Sequence, residues 1–241
     1  MRPLQGVVFD LDDTLYAERD YAASGFRYVA EVVAGETNLE AGELFARLWG
    51  DFEAGRRGDL FNRLLAIYSQ AAESFDIPRL VSLYRRHSPD IQMRQEITDF
   101  LRQLVDWGVP LALISDGYLE AQEAKVRKLG LASFFDPLIL TDALGREYWK
   151  PHERAFRKVE EAWGLPGEVL AYVGDNPRKD FVAPRRLGWT CLRLRIPGQE
   201  SFHHPTAEEG HPHEEWKSFG ELAGYLTGRL KGNPGTAGDS P

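Results

Sequence analysis

The sequence predicts an α/β protein: a Rossmann-like parallel sheet core with an inserted all-helical cap domain. Three observations predict it. Short apolar runs at residues 7–9, 111–114, 138–140, 169–173 and 190–194 have the continuous hydrophobicity of strands buried on both faces. From the second run onward, stretches of helical periodicity separate them, so helix and strand alternate. Between the first run and the second lies a block of about seventy residues with helical spacing alone.

Each element has its own signal. Val7-Val8-Phe9 runs into Asp10-Leu11-Asp12-Asp13-Thr14, apolar and then acidic, as at the carboxyl end of a buried strand. In the block that follows, Tyr21, Phe26, Val29, Val32 and Val33 recur at helical spacing. Leu44, Phe45, Leu48, Trp49 and Phe52 do the same, then Leu60, Leu64, Leu65 and Tyr68, then Leu80, Leu83 and Tyr84. Four helices are expected, with breaks at Gly55, Gly58 and Ile77-Pro78. Beyond His87-Ser88-Pro89, Ile97, Phe100, Leu101 and Leu104 mark a helix stopped by Gly108. A strand at 111–114 ends at Ser115-Asp116-Gly117, and a helix over 119–129 is capped by Gly130. After the strand at 138–140, a helix is expected to start at Pro151 and run to Trp163. The strand at 169–173 ends at Gly174-Asp175; a helix after Pro177 ends at Gly188, and a strand spans 190–194. Residues 197–215 lack periodicity and read as a loop, 216–230 as a last amphipathic helix, and 231–241 as a disordered Gly/Pro/Ser tail. The resulting domains are a core of 1–16 and 92–230 and a cap of 17–91.

Composition narrows the function. With 241 residues and a net charge of −8, the surface repels nucleic-acid backbones and anionic lipid. The single cysteine, Cys191, permits neither an internal disulfide nor a cysteine zinc cluster, and its place in a strand reads as an inert buried thiol. No apolar run approaches the ~20 residues of a membrane span, and the first apolar run is too short for a signal peptide. A cytoplasmic enzyme with a small-molecule partner is the expectation. His203, His204, His211 and His213 fit no standard metal spacing.

The chemistry gathers at strand ends, where ligands bind in open parallel sheets. Four strands end in polar residues: Asp10, Asp12 and Thr14; Ser115; Asp142, with Lys150 soon after; and Asp175 with Asp180. Strand period puts Asp10 and Asp12 on one side and Asp13 on the other. Asp10, Asp175 and Asp180 together carry a threefold negative charge, which Lys150 and one Mg²⁺ would neutralise. An all-oxygen ligand set suits a hard cation. Such a site suits phosphoryl transfer, where the protein positions groups and compensates charge.

These residues resemble the motifs of the haloacid dehalogenase-like (HAD) superfamily. Asp10-Leu11-Asp12-Asp13-Thr14 is similar to its first motif, DxDxT, and Ile114-Ser115-Asp116-Gly117 to its second. Lys150-Pro151 is similar to the third, and Gly174-Asp175 through Asp180 to the fourth, GDxxxxD. The resemblance covers about residues 4–195. It implies a Mg²⁺-dependent phosphatase acting on a small phosphorylated metabolite through an aspartyl-phosphate. Asp10 would be the nucleophile. Asp12 would be the acid and then the base, and would give its carbonyl to Mg²⁺. Ser115 and Lys150 would bind the phosphoryl group, Asp175 would ligate Mg²⁺, and Asp180 would either ligate it or hold Lys150.

Three departures stand out: Asp116 where many relatives carry Asn, a longer Gly145–Lys150 gap, and Ala183 where Gly is common. A phosphomutase of the same superfamily is the alternative. A dehalogenase needs no leaving-group acid, yet Asp12 is present. A phosphonate hydrolase would need a cap lysine for a Schiff base, and residues 19–88 contain none. A receiver-type signalling domain has the acid pair first and no helical insertion. A non-catalytic phosphate-binding protein should have lost one of Asp10, Asp12, Lys150 or Asp175. Thr14 is expected to hydrogen-bond locally. Arg56, Arg57, Arg85 and Arg86 read as a solvated helix face, and Tyr16 and Arg19 as the better candidates to meet substrate.

Overall fold

A computed structural model of the chain describes residues 2–230, so the expected tail at 231–241 lies outside the described residues. β1 (Gly6–Phe9) is followed by α1 (Glu18–Glu36), α2 (Ala41–Glu53), α3 (Leu60–Ile67), α4 (Ser69–Ser74) and α5 (Ile77–Arg86). Then come α6 (Gln95–Asp106), β2 (Leu111–Ser115), α7 (Leu119–Leu129), β3 (Leu138–Leu140), α8 (Arg154–Trp163) and β4 (Leu170–Gly174). α9 (Val182–Arg186), β5 (Thr190–Leu194), β6 (Glu214–Trp216) and α10 (Phe219–Arg229) complete the order.

The described residues divide into two compact units: Arg19–Ile91, and those before and after it. In the second of these the strands form one sheet in the order β3-β2-β1-β4-β5-β6, with every neighbouring pair parallel. β1 sits in the centre because Val7, Val8 and Phe9 are wholly buried and need cover on both faces. The order of connections reverses between β1 and β4. That is the place where an open sheet leaves a crevice beyond its carboxyl ends. One face is filled by Val8, Ile114, Phe156, Tyr172, Phe181 and Trp189. The Arg19–Ile91 unit has a core of its own, which includes Phe26, Val29, Val33, Leu44, Leu48, Leu64 and Leu80. Among the described residues no helix is long and apolar enough to cross a membrane.

Five boundaries differ from the sequence reading. The helical block holds five helices, because Tyr68 turns extended (φ −108°, ψ 90°) between α3 and α4. Its hydroxyl bonds Glu43 Oε1 on α2 at 2.9 Å, and neither Gly nor Pro marks the break. Pro151 does not begin a helix: Lys150–Pro151 is a cis peptide, residues 151–153 turn, and α8 starts at Arg154. Tertiary contacts to Lys150 hold that segment instead. α9 is shorter than expected, because residues 176–180 fold around Asp180, whose N–H donates to Asn176 O at 3.0 Å. Glu214–Trp216 is a three-residue edge strand beside β5, too short to show a period. The last helix begins at Phe219, where Ser218 accepts the Glu221 N–H at 3.3 Å as its N-cap.

Candidate active site

Asp10 follows β1 directly, and its N–H continues the ladder to Val173 O at 2.8 Å. Asp175 follows the neighbouring β4, so parallel pairing alone brings the two carboxylates to one crevice. Asp180 reaches the same place through the turn after β4: its Oδ2 accepts the Asn176 N–H at 2.8 Å. Gly174 makes room for it, since a Cβ there would lie 2.6 Å from Asp180 Oδ2. The three buried carboxylates offer oxygens within 4.8 Å of one another. They are a fitting donor set for a hard cation. Lys150, fully withdrawn from solvent, donates to Asp10 Oδ1 at 2.5 Å and to Tyr172 Oη at 2.9 Å, and pairs with Asp180 Oδ1 at 2.7 Å.

The electrostatics follow from burial. Burial pushes the Asp10 carboxyl up to about 7, against the pull of Lys150 and with the help of Asp180. Burial, then Asp180 and Asp10, push Asp175 well above the carboxylate range. Burial alone would depress Lys150, but Asp10 and Asp180 lift it well above its ordinary value, so it stays charged.

Asp12 is placed differently. Its Oδ1 accepts from Lys125 Nζ at 2.7 Å and from the Tyr16 hydroxyl. Its Oδ2 accepts from Gln122 Nε2 at 2.9 Å, and the same nitrogen donates to Ser115 Oγ at 2.8 Å and to Asp116 O. Burial would raise the Asp12 carboxyl, but the charge of Lys125 and the hydrogen bonds from Lys125, Tyr16 and Gln122 hold it below its usual value. Lys125 and Gln122 were not singled out in the sequence. Nothing in the letters marks them: they are two polar residues three apart on α7, buried there beside Ala121 and Ala124.

The departures now have physical accounts. Asp116 Oδ1 accepts from Thr141 at 2.8 Å and from the Lys150 N–H at 3.1 Å, while Oδ2 faces Lys179 Nζ at 3.3 Å. Against burial, Lys150 and Lys179 keep it ionised. The longer gap before Lys150 is a short 3₁₀ turn at Arg146–Tyr148. Ala183 is buried in the core.

Asp142 does not join the carboxylates; it accepts from Leu119 N at 3.0 Å and Trp149 Nε1 at 3.3 Å. Asp13, set aside in the sequence, is buried in the left-handed region (φ 55°). It accepts from the N–H groups of Glu18 and Glu200 at 2.9 and 3.0 Å, tying the Asp12 loop to the segment after β5. Thr14 corrects the expectation of a local bond: its buried hydroxyl has no partner among the described residues, and its N–H turns back to Leu11 O at 3.3 Å.

Arg19 is committed to Glu53 Oε1 at 2.9 Å and lies over the Trp49 ring. Arg56 pairs with buried Asp51, which also takes Arg47 and Arg63. His213 Nδ1 accepts the Cys191 N–H at 2.9 Å. Cys191 is buried, and burial pushes its thiol up to about 12.

The sequence model of the haloacid dehalogenase-like hydrolases matches residues 4–188. The chain belongs to that family. Among HAD-like relatives, a glyceraldehyde 3-phosphate phosphatase of Methanocaldococcus jannaschii is 26% identical over 200 residues, 79% of this chain and 85% of its own. An (S)-2-haloacid dehalogenase of Xanthobacter autotrophicus is 28% identical over 211 residues, 82% of this chain and 78% of its own. The fold matches a HAD family hydrolase from Deinococcus radiodurans R1, solved with bound phosphate and sodium. That match has a TM-score of 0.65 at 21% identity and covers 96% of this chain and 99% of the other.

Across the site, Asp10, Asp12, Asp116, Asp175 and Asp180 stand against Lys125, Lys150 and Lys179. With all five carboxyls ionised, two negative charges would remain over, which one divalent cation would balance.

Proposed function

We propose that this HAD-like hydrolase is a Mg²⁺-dependent phosphatase that hydrolyses a small phosphorylated metabolite through an aspartyl-phosphate. The carrying observation is the second carboxyl, Asp12, two residues from Asp10 and held apart from the Asp10–Asp175–Asp180 group by its own donors. Displacing a halide needs no proton donor; expelling an alkoxide does.

In this reading Asp10 Oδ attacks phosphorus while the bond to the leaving oxygen breaks, and Asp12 gives that oxygen a proton. Asp12 stands here as a carboxylate. The phosphate ester, with a second pKa of about 6, brings both a proton and a negative charge that raises its neighbour's affinity for one. Asp12 then takes a proton from water, whose oxygen bonds phosphorus as the Asp10 bond breaks. Lys150 keeps Asp10 aimed, and Ser115, already accepting from Gln122, keeps its own proton for a phosphoryl oxygen. Asp10, Asp175 and the Asp12 carbonyl would hold Mg²⁺, with Asp180 holding Lys150. The ion supplies charge neutralisation of the phosphoryl oxygens. The Arg19–Ile91 unit serves as the cap that selects substrate. A phosphomutase would run the same first half-reaction; the names of the phosphatase relatives favour water as the acceptor.

The test is phosphate release from a panel of phosphorylated sugars, nucleotides and small acids, glyceraldehyde 3-phosphate included, in Mg²⁺ and in EDTA. Release in Mg²⁺ with loss in EDTA is expected. Turnover of 2-haloacids with no phosphatase activity would overturn the reading.

A further inference from the structure

Lys125 carries a full charge into the interior, with 5% of its side chain exposed, 113 residues from the carboxylate it meets. A buried ammonium is costly unless its partner repays it, and a neutral residue would fill α7 as well. Its partner Oδ1 has a further donor in the Tyr16 hydroxyl, and the ammonium lies 6.0 Å from the Tyr16 ring centre. Oδ2 is held less firmly: Gln122 Nε2 has two hydrogens for three acceptors, namely Asp12 Oδ2, Ser115 Oγ and Asp116 O. Oδ1 is therefore anchored. Oδ2 is the oxygen free to exchange a proton, and it shares a donor with Ser115.

We propose that Lys125 is a positioning residue for the reaction: it fixes Asp12 through Oδ1 so that Oδ2 transfers the proton. This rests on the phosphatase reading above. In the first half-reaction Oδ2–H yields its proton to the leaving oxygen as the bond from phosphorus to Asp10 forms. In the second, Oδ2 takes a proton from water as the bond from water oxygen to phosphorus forms and the Asp10 bond breaks. Gln122 passes the same constraint to Ser115, so one helical turn of α7 sets both the proton-transfer atom and a phosphoryl contact.

Steady-state kinetics with p-nitrophenyl phosphate and phenyl phosphate in Mg²⁺ test the proposal. Phenolate, with a conjugate-acid pKa near 10, needs a proton as it leaves far more than p-nitrophenolate does. Lys125→Met should lower kcat on phenyl phosphate at least about tenfold beyond its loss on p-nitrophenyl phosphate, with KM little changed. On an Asp12→Asn background the same change should add no discrimination, and Lys125→Arg should restore part of it. Equal losses on both esters, or a Lys125→Met effect that multiplies undiminished onto Asp12→Asn, would overturn the proposal. If Lys125→Met does not fold, Lys125→Gln is read by the same criteria. If Asp12→Asn itself shows no leaving-group preference, the acid–base role of Asp12 falls and this proposal with it. If Asp12→Asn discriminates and the Lys125 variants do not, only the role of Lys125 falls.

Discussion

Replacing Asp10 with Asn should make the metal-free protein more stable while destroying its activity. Burial raises the folded-state Asp10 carboxyl from 3.8 to about 7. A carboxyl whose folded pKa is raised favours folding only while protonated. The advantage is complete below pH 3.8 and is lost as pH climbs through about 7. A shift of that size corresponds to about 4 kcal/mol at pH 8, at 1.36 kcal/mol per pKa unit. Asn keeps the shape of the protonated acid and never ionises. In EDTA at pH 8, Asp10→Asn should therefore be more stable than wild type by up to about 4 kcal/mol, or roughly 8–16 °C in Tm. The difference should shrink toward zero near pH 4. Mg²⁺ should raise the wild-type Tm more than that of Asp10→Asn, because the carboxylate charge it offsets is missing from the variant. The assay is thermal unfolding across pH with and without Mg²⁺, alongside phosphate release, which should fall by several orders of magnitude. A variant less stable than wild type at pH 8, or a stability gap independent of pH, would refute the electrostatic account. A rate within tenfold of wild type would refute Asp10 as nucleophile.

Three further outcomes are expected. Chelation with EDTA should abolish phosphate release and Mg²⁺ should restore it; full activity in metal-free buffer would refute the carboxylate site. Asp12→Asn should lose ~10²–10⁴-fold on an alkyl phosphate and much less on p-nitrophenyl phosphate. It should also trap one phosphoryl group on Asp10, visible as added intact mass; equal losses with Mg²⁺ affinity gone would make Asp12 structural. Cys191 should resist iodoacetamide in the folded protein and react once unfolded. Because its folded thiol is raised from 9.0 to about 12, stability should fall as pH rises past 9, by about 1.4 kcal/mol at pH 10 relative to Cys191→Ala. Rapid labelling of the native protein would contradict its burial.

The sequence by itself determined five of the six strands and their alternation with helices along the chain. Strands buried on both faces must be continuously apolar, so β1, β2, β3, β4 and β5 were legible as runs, and the polar residues closing them were legible as crevice residues. Local chemistry also marked the Gly130 cap of α7 in the left-handed region.

The tertiary structure alone decided what those residues do to one another. Nothing near Tyr68 signals the break between α3 and α4, where its hydroxyl bonds Glu43 on another helix. Pro151 carries a good helix-start signal that contacts to Lys150, from Asp10 and Asp116, override. Ser115, Asp116 and Lys150 could be found as letters, but the pairing of Asp116 with Lys179 could not. The attachment of Asp12 to Lys125 and Gln122 was equally hidden. It joins the end of β1 to α7 across more than a hundred residues, and only the parallel register of β1 against β2 brings them together. Periodicity reports which face of an element is apolar. It carries no information about which charge on one element meets which charge on another, and here those meetings separate Asp12 from the carboxylates that would hold a metal.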